Sequence, residues 1–549
     1  MKSIASMLAI IALGFGLIGC PGSGGGGGSS SSTFAVSTTA ADFGVVGNPY
    51  TSTLMATGGT APFTWTEIGS ALPATLSIDP VTGVVSGTPA TAGNFTATFT
   101  VTDSTGKTAT GSVLFAIHTK TDRVSVNGTS MAGDGASSTP SINGDGSLVA
   151  FVSQATNLVI GVSGFQIYVH NRQTNQVEVI SRNNDTTTVN EGNGVSSTPS
   201  ISADGRFVAF VSQATNLLAP GIPAIPAGQQ IYVRDRQTGQ TSLVSVDNNV
   251  APIAGNGVSS TPSISADGRF VAFVSQATNL LAPGTPAIPA GQQIYVRDRQ
   301  TGQTSLVSVD NSVAPIAGNG VSSTPSISAD GRFIAFMSLS TNLLAPGIPA
   351  VSGQQIYIRD RQVNQTSLVS ADNNVVPIPG NGVSSAPSIN GDGSLVAFDS
   401  LATNLLDPVV PSVSGRQVYV RNRTVDQTSL VSMDNNVVPN PGNGVSRTPS
   451  ISSNGRFVAF VSLATDLLAP GVPAVAGQQI YIRDRQLGQS FLASQDNTNT
   501  NVAGTGGGGV SDTPSTNGNG GFVAFFSRAT NLVTAPPAAP SDIYVRALP

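Results

Sequence analysis

Pro199-Ser200-Ile201-Ser202-Ala203-Asp204-Gly205-Arg206-Phe207-Val208-Ala209-Phe210-Val211-Ser212 decides the architecture. Asp-Gly tolerates the positive φ of a tight hairpin, so two short strands meet at Asp204-Gly205. The run Val208-Ala209-Phe210 is apolar on both faces of its strand. A strand wet on one side would alternate, so this one is covered on both sides by neighbouring sheets. Downstream, Ile231-Tyr232-Val233-Arg234-Asp235-Arg236, a Thr238-Gly239 turn and Ser242-Leu243-Val244-Ser245-Val246 supply two further strands. Four short strands without a helical period describe one antiparallel blade.

The unit repeats. Its proline recurs at Pro140, Pro199, Pro262, Pro325, Pro387, Pro449 and Pro514, at spacings of 59 to 65 residues. A long fixed period signals a propeller, a solenoid or an array. Asp-Gly or Asn-Gly follows in every unit, from Asp145-Gly146 to Asn519-Gly520. The third-strand tyrosine occurs seven times, from Tyr168 to Tyr544, but the chain ends before a seventh fourth strand. Arg123-Val124-Ser125-Val126 matches Leu243-Val244-Ser245-Val246 and precedes the first unit. A seven-bladed ring over residues 119–549, closed by a strand at 123–126, removes the open sheet edge that invites aggregation.

These units resemble the TolB-type (WD40-like) propeller repeats, with Pro262 to Ser275 and Ile294 to Asp298 fitting closely. The resemblance covers about residues 121 to 549. TolB itself carries a different amino-terminal domain, so its cellular role does not carry over.

Residues 33–118 change pattern. In Asn94 to Thr102 apolar and threonine positions alternate, and Val113, Phe115 and Ile117 repeat the alternation after Ser104-Thr105-Gly106. Leu72-Pro73-Ala74-Thr75-Leu76, Thr82-Gly83, Ser86-Gly87-Thr88-Pro89 and Val101-Thr102-Asp103 resemble the "putative Ig" domain of bacterial surface proteins, which implies an Ig-like β-sandwich. Trp65, the single tryptophan, reads as a core plug, and Asp103 as a turn former. The expected fold class is therefore all-β: an Ig-like sandwich followed by a seven-bladed β-propeller.

The amino terminus reads as an address. Met1 and Lys2 precede a mostly apolar run from Ile4 to Ile18, too short for a spanning helix. Leu17-Ile18-Gly19-Cys20 resembles the lipobox of bacterial lipoproteins. That resemblance implies a signal peptide over 1–19, diacylglycerol on the Cys20 sulfur and acylation of the new amino terminus. Proline at position 21 in place of aspartate implies sorting to an outer membrane, with attachment to the cell envelope through lipid. Gly22 to Ser32 contains only Gly and Ser and reads as the rest of a flexible tether over 20–32. The single cysteine leaves the mature chain without a disulfide.

Composition narrows the function. Of 549 residues only 10% are charged, 39% are apolar and the net charge is −5. No basic stripe is present to hold a phosphate backbone, so nucleic acid is not an expected partner. Long loops gather at one end of every blade, and loops gathered on one face of a repeat protein often bind. Their apolar, proline-stiffened content makes Leu217, Ile222, Ile225, Leu280, Ile288, Leu343, Ile348, Leu405 and Leu467 the candidate binding face for an envelope protein or polymer.

Site chemistry reads as mostly negative. Recurring acids of the Asp204 and Asp235 kinds fall one per blade, with Asn171 and Asn422 replacing the latter in two units. The sialidase box and a Gly-x-Ser-x-Gly elbow are absent. The Ala219 to Gln230 loop offers no carboxylate to calcium, Asp407 is a lone exception, and the Asp247-Asn248-Asn249 kind reads as a turn. No cofactor or metal is expected. Near-identical blades weigh against catalysis, which needs one distinct residue in one place. The expectation is a monomeric, lipid-anchored binding or scaffold protein that is not an enzyme. The alternative is a hydrolase-type enzyme, or enzyme subunit, with its site in the propeller channel. A propeller lectin is third, disfavoured because the repeats lack tryptophan. Acidic residues converging on the channel would favour the enzyme.

Overall fold

The structure is a computed structural model. It describes residues 33–548 apart from 185–189, 219–227, 250–251, 282–290, 345–350, 352, 375, 407–414, 470–474, 476, 498–508 and 535–538. Among the described residues every regular element is a strand.

In the Ig-like domain the hairpin Gly93–Thr102 and Thr108–His118 forms the middle of a four-stranded sheet, which faces a three-stranded one. Trp65, Phe99 and Phe115 fill the core between them. Asp103 holds the hairpin turn, accepting the N–H groups of Thr105 at 2.9 Å and Lys107 at 3.0 Å.

Seven four-stranded antiparallel sheets follow among the described residues. In blade 2 the strands run Ser196–Ile201, Phe207–Ser212, Gln230–Asp235 and Gln240–Leu243, from inner to outer. Val208, Ala209 and Phe210 are fully buried, as their two-sided apolar character requires. Phe210 stacks on Tyr232 with ring centroids 5.8 Å apart, and the same pair recurs in all seven blades. Each such aromatic pair adds roughly 0.5–1.5 kcal/mol beyond its buried area.

The inner strands join one another around a ring. Ser200 Oγ accepts the Ile264 N–H at 3.2 Å, Ser263 accepts that of Ile327 at 3.2 Å, and across the seam Ser515 accepts that of Ile142 at 3.2 Å. At the tight-turn end a second ring is made by backbone alone. Gly144 N–H donates to Ala203 O at 2.9 Å, Ala203 to Ala266 O at 3.0 Å, and Gly518 back to Gly144 O at 2.9 Å. This end of the channel is a narrow throat lined by Ile201, Ile264, Ile327 and their counterparts, with about 170 Å³ of space.

Ring closure comes from ahead of the first blade. Thr121–Arg123 pairs antiparallel with Asp542–Ala547, Thr121 opposite Arg546 and Arg123 opposite Tyr544. The ladder starts two residues before the expected 123–126. Val124 adds one bond to Ile543 O at 2.8 Å, and Ser125 then turns its hydroxyl to Asp542 Oδ1 at 2.7 Å.

The Ig-like domain packs against this seam. Phe43 meets Phe522 at 5.0 Å, the Arg172 guanidinium lies 4.8 Å from the Phe43 ring, and Gln173 donates to Ala41 O. The last Ig strand ends at His118, directly ahead of the closing strand.

Candidate functional site

Strand direction gathers three kinds of position at the long-loop end of each blade: the start of the inner strand, the end of the second and the start of the third. In blades 1 to 4 these positions are uncharged. The second residue of the inner strand is Ser138, Ser197, Ser260 or Ser323, and the fifth residue of the second strand is Val152, Val211, Val274 or Met337. Gln229, Gln292 and Gln354 precede the third strand in blades 2 to 4.

Blades 5 to 7 break that pattern. Asp399 replaces the apolar residue in blade 5, Arg416 replaces the glutamine there, and Arg447 and Asp512 replace the serine in blades 6 and 7. These four form two charge pairs, which the Arg447–Thr448 backbone joins. Asp399 Oδ1 accepts from the Ser385 hydroxyl at 2.7 Å and from the Arg416 guanidinium, which also donates to Ser385 Oγ at 2.6 Å. Asp399 Oδ2 accepts the Thr448 N–H of blade 6 at 3.2 Å. The neighbouring Arg447 donates to Asp512 Oδ2 at 2.9 Å and to Gln478 Oε1 at 2.9 Å, while Gln478 donates to Asp512 at 3.1 Å. Asp399 is buried, whereas the side chains of Arg447 and Asp512 are 35% and 18% exposed, within reach of a solute.

Backbone strain runs through the same positions. Inner strands bulge at their third residue, where Thr198, Thr261, Thr324 and Thr448 sit at φ between 45° and 48°. A β-branched residue is a poor occupant of that region. Blade 5 carries the smaller Ala386 there, next to Ser385.

The recurring acids serve the fold. Asp235, Asp298, Asp360 and Asp484 pair with Arg206, Arg269, Arg332 and Arg456 at 2.5–2.7 Å. The arginine bonds hold Asp235 and Asp298 down at about 2, with backbone N–H groups adding to the effect. Where Asn171 and Asn422 stand in blades 1 and 5, Ser147 and Ser394 replace the arginine, so the pair is exchanged as a unit. Among the described residues no group of three or more His, Cys, Asp or Glu is placed to hold a metal.

A second cluster lies at the seam, in a cavity of about 380 Å³ whose lining includes both histidines of the chain, Asp122 and Arg172. His118 Nδ1 lies 2.9 Å from Asp122 Oδ2. Burial opposes the Asp122 charge, but His118 and Arg172 outweigh it and hold the carboxyl below its ordinary range. His170 stands where the other six blades carry Arg234, Arg297, Arg359, Arg421, Arg483 and Arg546. Those arginines bridge to the preceding outer loop, as Arg297 does to Asp247 O at 3.0 Å. His170 instead bonds Asn175 at 3.0 Å, and burial pushes its pKa down to about 4, against the Asn175 bond and with help from Arg172. His118 Nε2 and His170 Nδ1 are both buried without a hydrogen-bond partner, so these two ring nitrogens present no exposed atom. The channel mouth is therefore the more accessible chemistry.

Of the candidate loop residues, Leu217, Leu280, Leu343, Leu405 and Leu467 are at most 1% exposed and belong to the blade cores. The cause is local. Asn216 accepts the Asn193 N–H at 2.9 Å and donates to Glu191 O at 3.0 Å, which pins the turn and aims the next residue inward. Ile222, Ile225, Ile288, Ile348 and Cys20 lie outside the described residues.

Residues 31–118 match the model of the putative Ig domain. No curated protein sequence matches the chain. Among solved structures, the oligogalacturonate lyase of Vibrio parahaemolyticus is 12% identical, with TM-score 0.44, 84% of this chain and 99% of that one covered. The acylaminoacyl peptidase of Pyrococcus horikoshii is 13% identical, with TM-score 0.41 and coverage of 75% and 51%. The periplasmic gluconolactonase of Pseudomonas aeruginosa is 14% identical, with TM-score 0.32 and coverage of 72% and 90%. At these identities the likeness concerns the fold, and the reaction has to come from the residues.

The expectation of a scaffold that is not an enzyme is corrected here. The solved structures compared above are those of a lyase, a peptidase and a lactonase, a likeness of fold alone. Distinct residues, whose absence from the near-identical blades 2 and 3 had weighed against catalysis, do stand in blades 5 to 7. Aligning the seven units would have exposed them, since each of the four departs from its column in charge.

Proposed function

We propose that this protein is a hydrolase-type enzyme, or an enzyme subunit, whose site lies at the long-loop mouth of the channel between blades 5, 6 and 7. One observation carries this: Asp399, Arg416, Arg447 and Asp512, four charged residues that break the repeat at the channel mouth, form two charge pairs linked through the Arg447–Thr448 backbone across three blades. Arg447 and Arg416 hold an anionic group of the substrate, for which guanidinium supplies paired donors. Asp512 takes the proton of an attacking water and returns it to the leaving group, so that water adds across the cleaved bond. Asp399 is a positioning residue, fixing Arg416 and the Thr448 backbone.

Turnover of a panel of carboxylate-bearing esters, lactones and amides tests this reading. Asp512→Ser and Arg447→Ser, which restore the serine of blades 1 to 5, are expected to lower kcat/KM at least 100-fold with the circular dichroism spectrum unchanged. Equal turnover by wild type and both variants, or no turnover of any panel member by wild type, overturns it.

We also propose a lipid anchor at Cys20, supported by Leu17-Ile18-Gly19-Cys20 and the Gly/Ser stretch after it. Cys20→Ala is expected to move the protein from the membrane to the soluble fraction of a bacterial host. Unchanged fractionation overturns it.

A further inference from the structure

The residue just beyond the second strand is Gln154, Gln213 and Gln276 in blades 1 to 3, and Arg528 in blade 7. In blades 4, 5 and 6 it is Leu339, Leu401 and Leu463, exposed at 48%, 43% and 49%. Each leucine N–H donates to the carbonyl of an exposed valine of the same blade at 2.9 Å: Val321, Val383 and Val445, at 40%, 38% and 40%. Valines recur at this place in blades 2 and 3 as Val195 and Val258, but paired there with glutamine. Three consecutive blades thus each present an exposed leucine–valine pair at the same place, an arc of pairs that the other blades lack. Scattered apolar residues on a surface mean little, whereas a contiguous patch rimmed by polar groups marks an interaction site.

The arc adjoins the charged network. Leu401 lies two residues beyond Asp399, Val383 two before Ser385 and Val445 two before Arg447. Residues two apart on a strand share a face and lie about 7 Å from each other. The leucines and valines thus stand one residue beyond the strand ends that carry the charges, with Leu401 N–H bonded to Val383 O and Leu463 N–H to Val445 O.

Resting on the channel-mouth reading, we propose that the substrate is an amphiphilic acid derivative, with an anionic head at Arg416 and Arg447 and an aliphatic group on the leucine–valine arc. Leucine in place of glutamine has no use for a purely polar substrate. A purely apolar one would make no use of the guanidinium N–H groups that Asp399, Ser385, Asp512 and Gln478 leave over on Arg416 and Arg447.

Isothermal titration with octanoate and acetate separates the two parts. Wild type is expected to bind octanoate at least tenfold more tightly than acetate, since each buried methylene contributes roughly 0.8 kcal/mol. The triple variant L339Q/L401Q/L463Q carries the residue that blades 1 to 3 tolerate at this place, and is expected to lose that preference. Arg447→Ser is expected to weaken both acids alike. Equal octanoate binding by wild type and the triple variant overturns the arc while leaving the charged site standing. Binding of both acids that Arg447→Ser does not change overturns the head-group site instead, and absence of any octanoate binding by wild type overturns the proposal outright.

Discussion

Blades 2 and 3 and blades 5 to 7 share one backbone and differ in what they do with it. In blades 2 and 3 the long-loop end is held by uncharged side chains, as Asn216 and Asn279 accept the N–H groups of Asn193 and Asn256, and charge sits in Arg–Asp pairs at the tight-turn end. In blades 5 to 7 charge stands at the long-loop end as well and crosses from blade to blade, while only blade 6 of the three keeps the tight-turn pair, Arg456–Asp484. Repetition explains stability, because each sheet covers its neighbours. Departure from repetition is where a specific chemistry can be placed.

The largest effect should separate blade 1 from the other six at the seam. His170 is held neutral, with a folded pKa near 4 against 6.5 unfolded. Its contribution is complete above pH 6.5 and is lost as pH falls toward 4, up to about 3 kcal/mol. Denaturant titrations at pH 7 and pH 4 should show that loss, and His170→Gln should flatten it. A profile identical in both proteins would mean that the seam is no weaker to acid than any other joint.

The hairpins offer the next test. Gly268 sits at φ 72°, and a Cβ there would fall 2.1 Å from the Phe207 ring, itself held between Arg206 and Arg299. At Gly455 the atom met is the end of the Leu395 side chain, at 2.4 Å, which can swing aside. Gly268→Ala should cost about 2 kcal/mol and Gly455→Ala about 1 kcal/mol less, read as shifts in the denaturant midpoint. Equal losses would erase this difference between the blades.

Asp399→Val gives blade 5 the residue of blade 2 but strands Arg416, and should cost about 1–2 kcal/mol. Adding Arg416→Gln should recover most of it. Recovery failing in the double variant would show that the network holds the blades together rather than replacing an apolar contact. The smallest effect belongs to the regular pairs: Arg206→Ser with Asp235→Asn, the combination of blades 1 and 5, should change stability by less than about 1 kcal/mol, because the arginine is well exposed.

Most of the fold is legible in the amino-acid sequence, because the hairpin dipeptides and the two-sided apolar strands recur at every unit. The closing strand is legible as an element but not in register: Arg123-Val124-Ser125-Val126 matches by composition, while pairing is set by where Tyr544 falls. Leu217 and its counterparts mislead because an apolar residue in a loop looks exposed until the Asn216 bonds turn it inward. Asp399, Arg416, Arg447 and Asp512 are each visible as departures from their columns. Their convergence is not, since residues of three different units meet only once the ring is closed. The role of His170 is hidden for a similar reason, as the group it lacks belongs to the outer loop of another blade.

The backbone ring at the tight-turn end sets how material moves. Seven strands about 4.8 Å apart enclose a circle only about 11 Å across between opposite backbones, before any isoleucine is counted. A molecule bound at the long-loop mouth meets this throat at the other end of the channel. On the proposed reading, a reactant that enters there leaves as product through the same opening, so release and the next arrival compete for one passage.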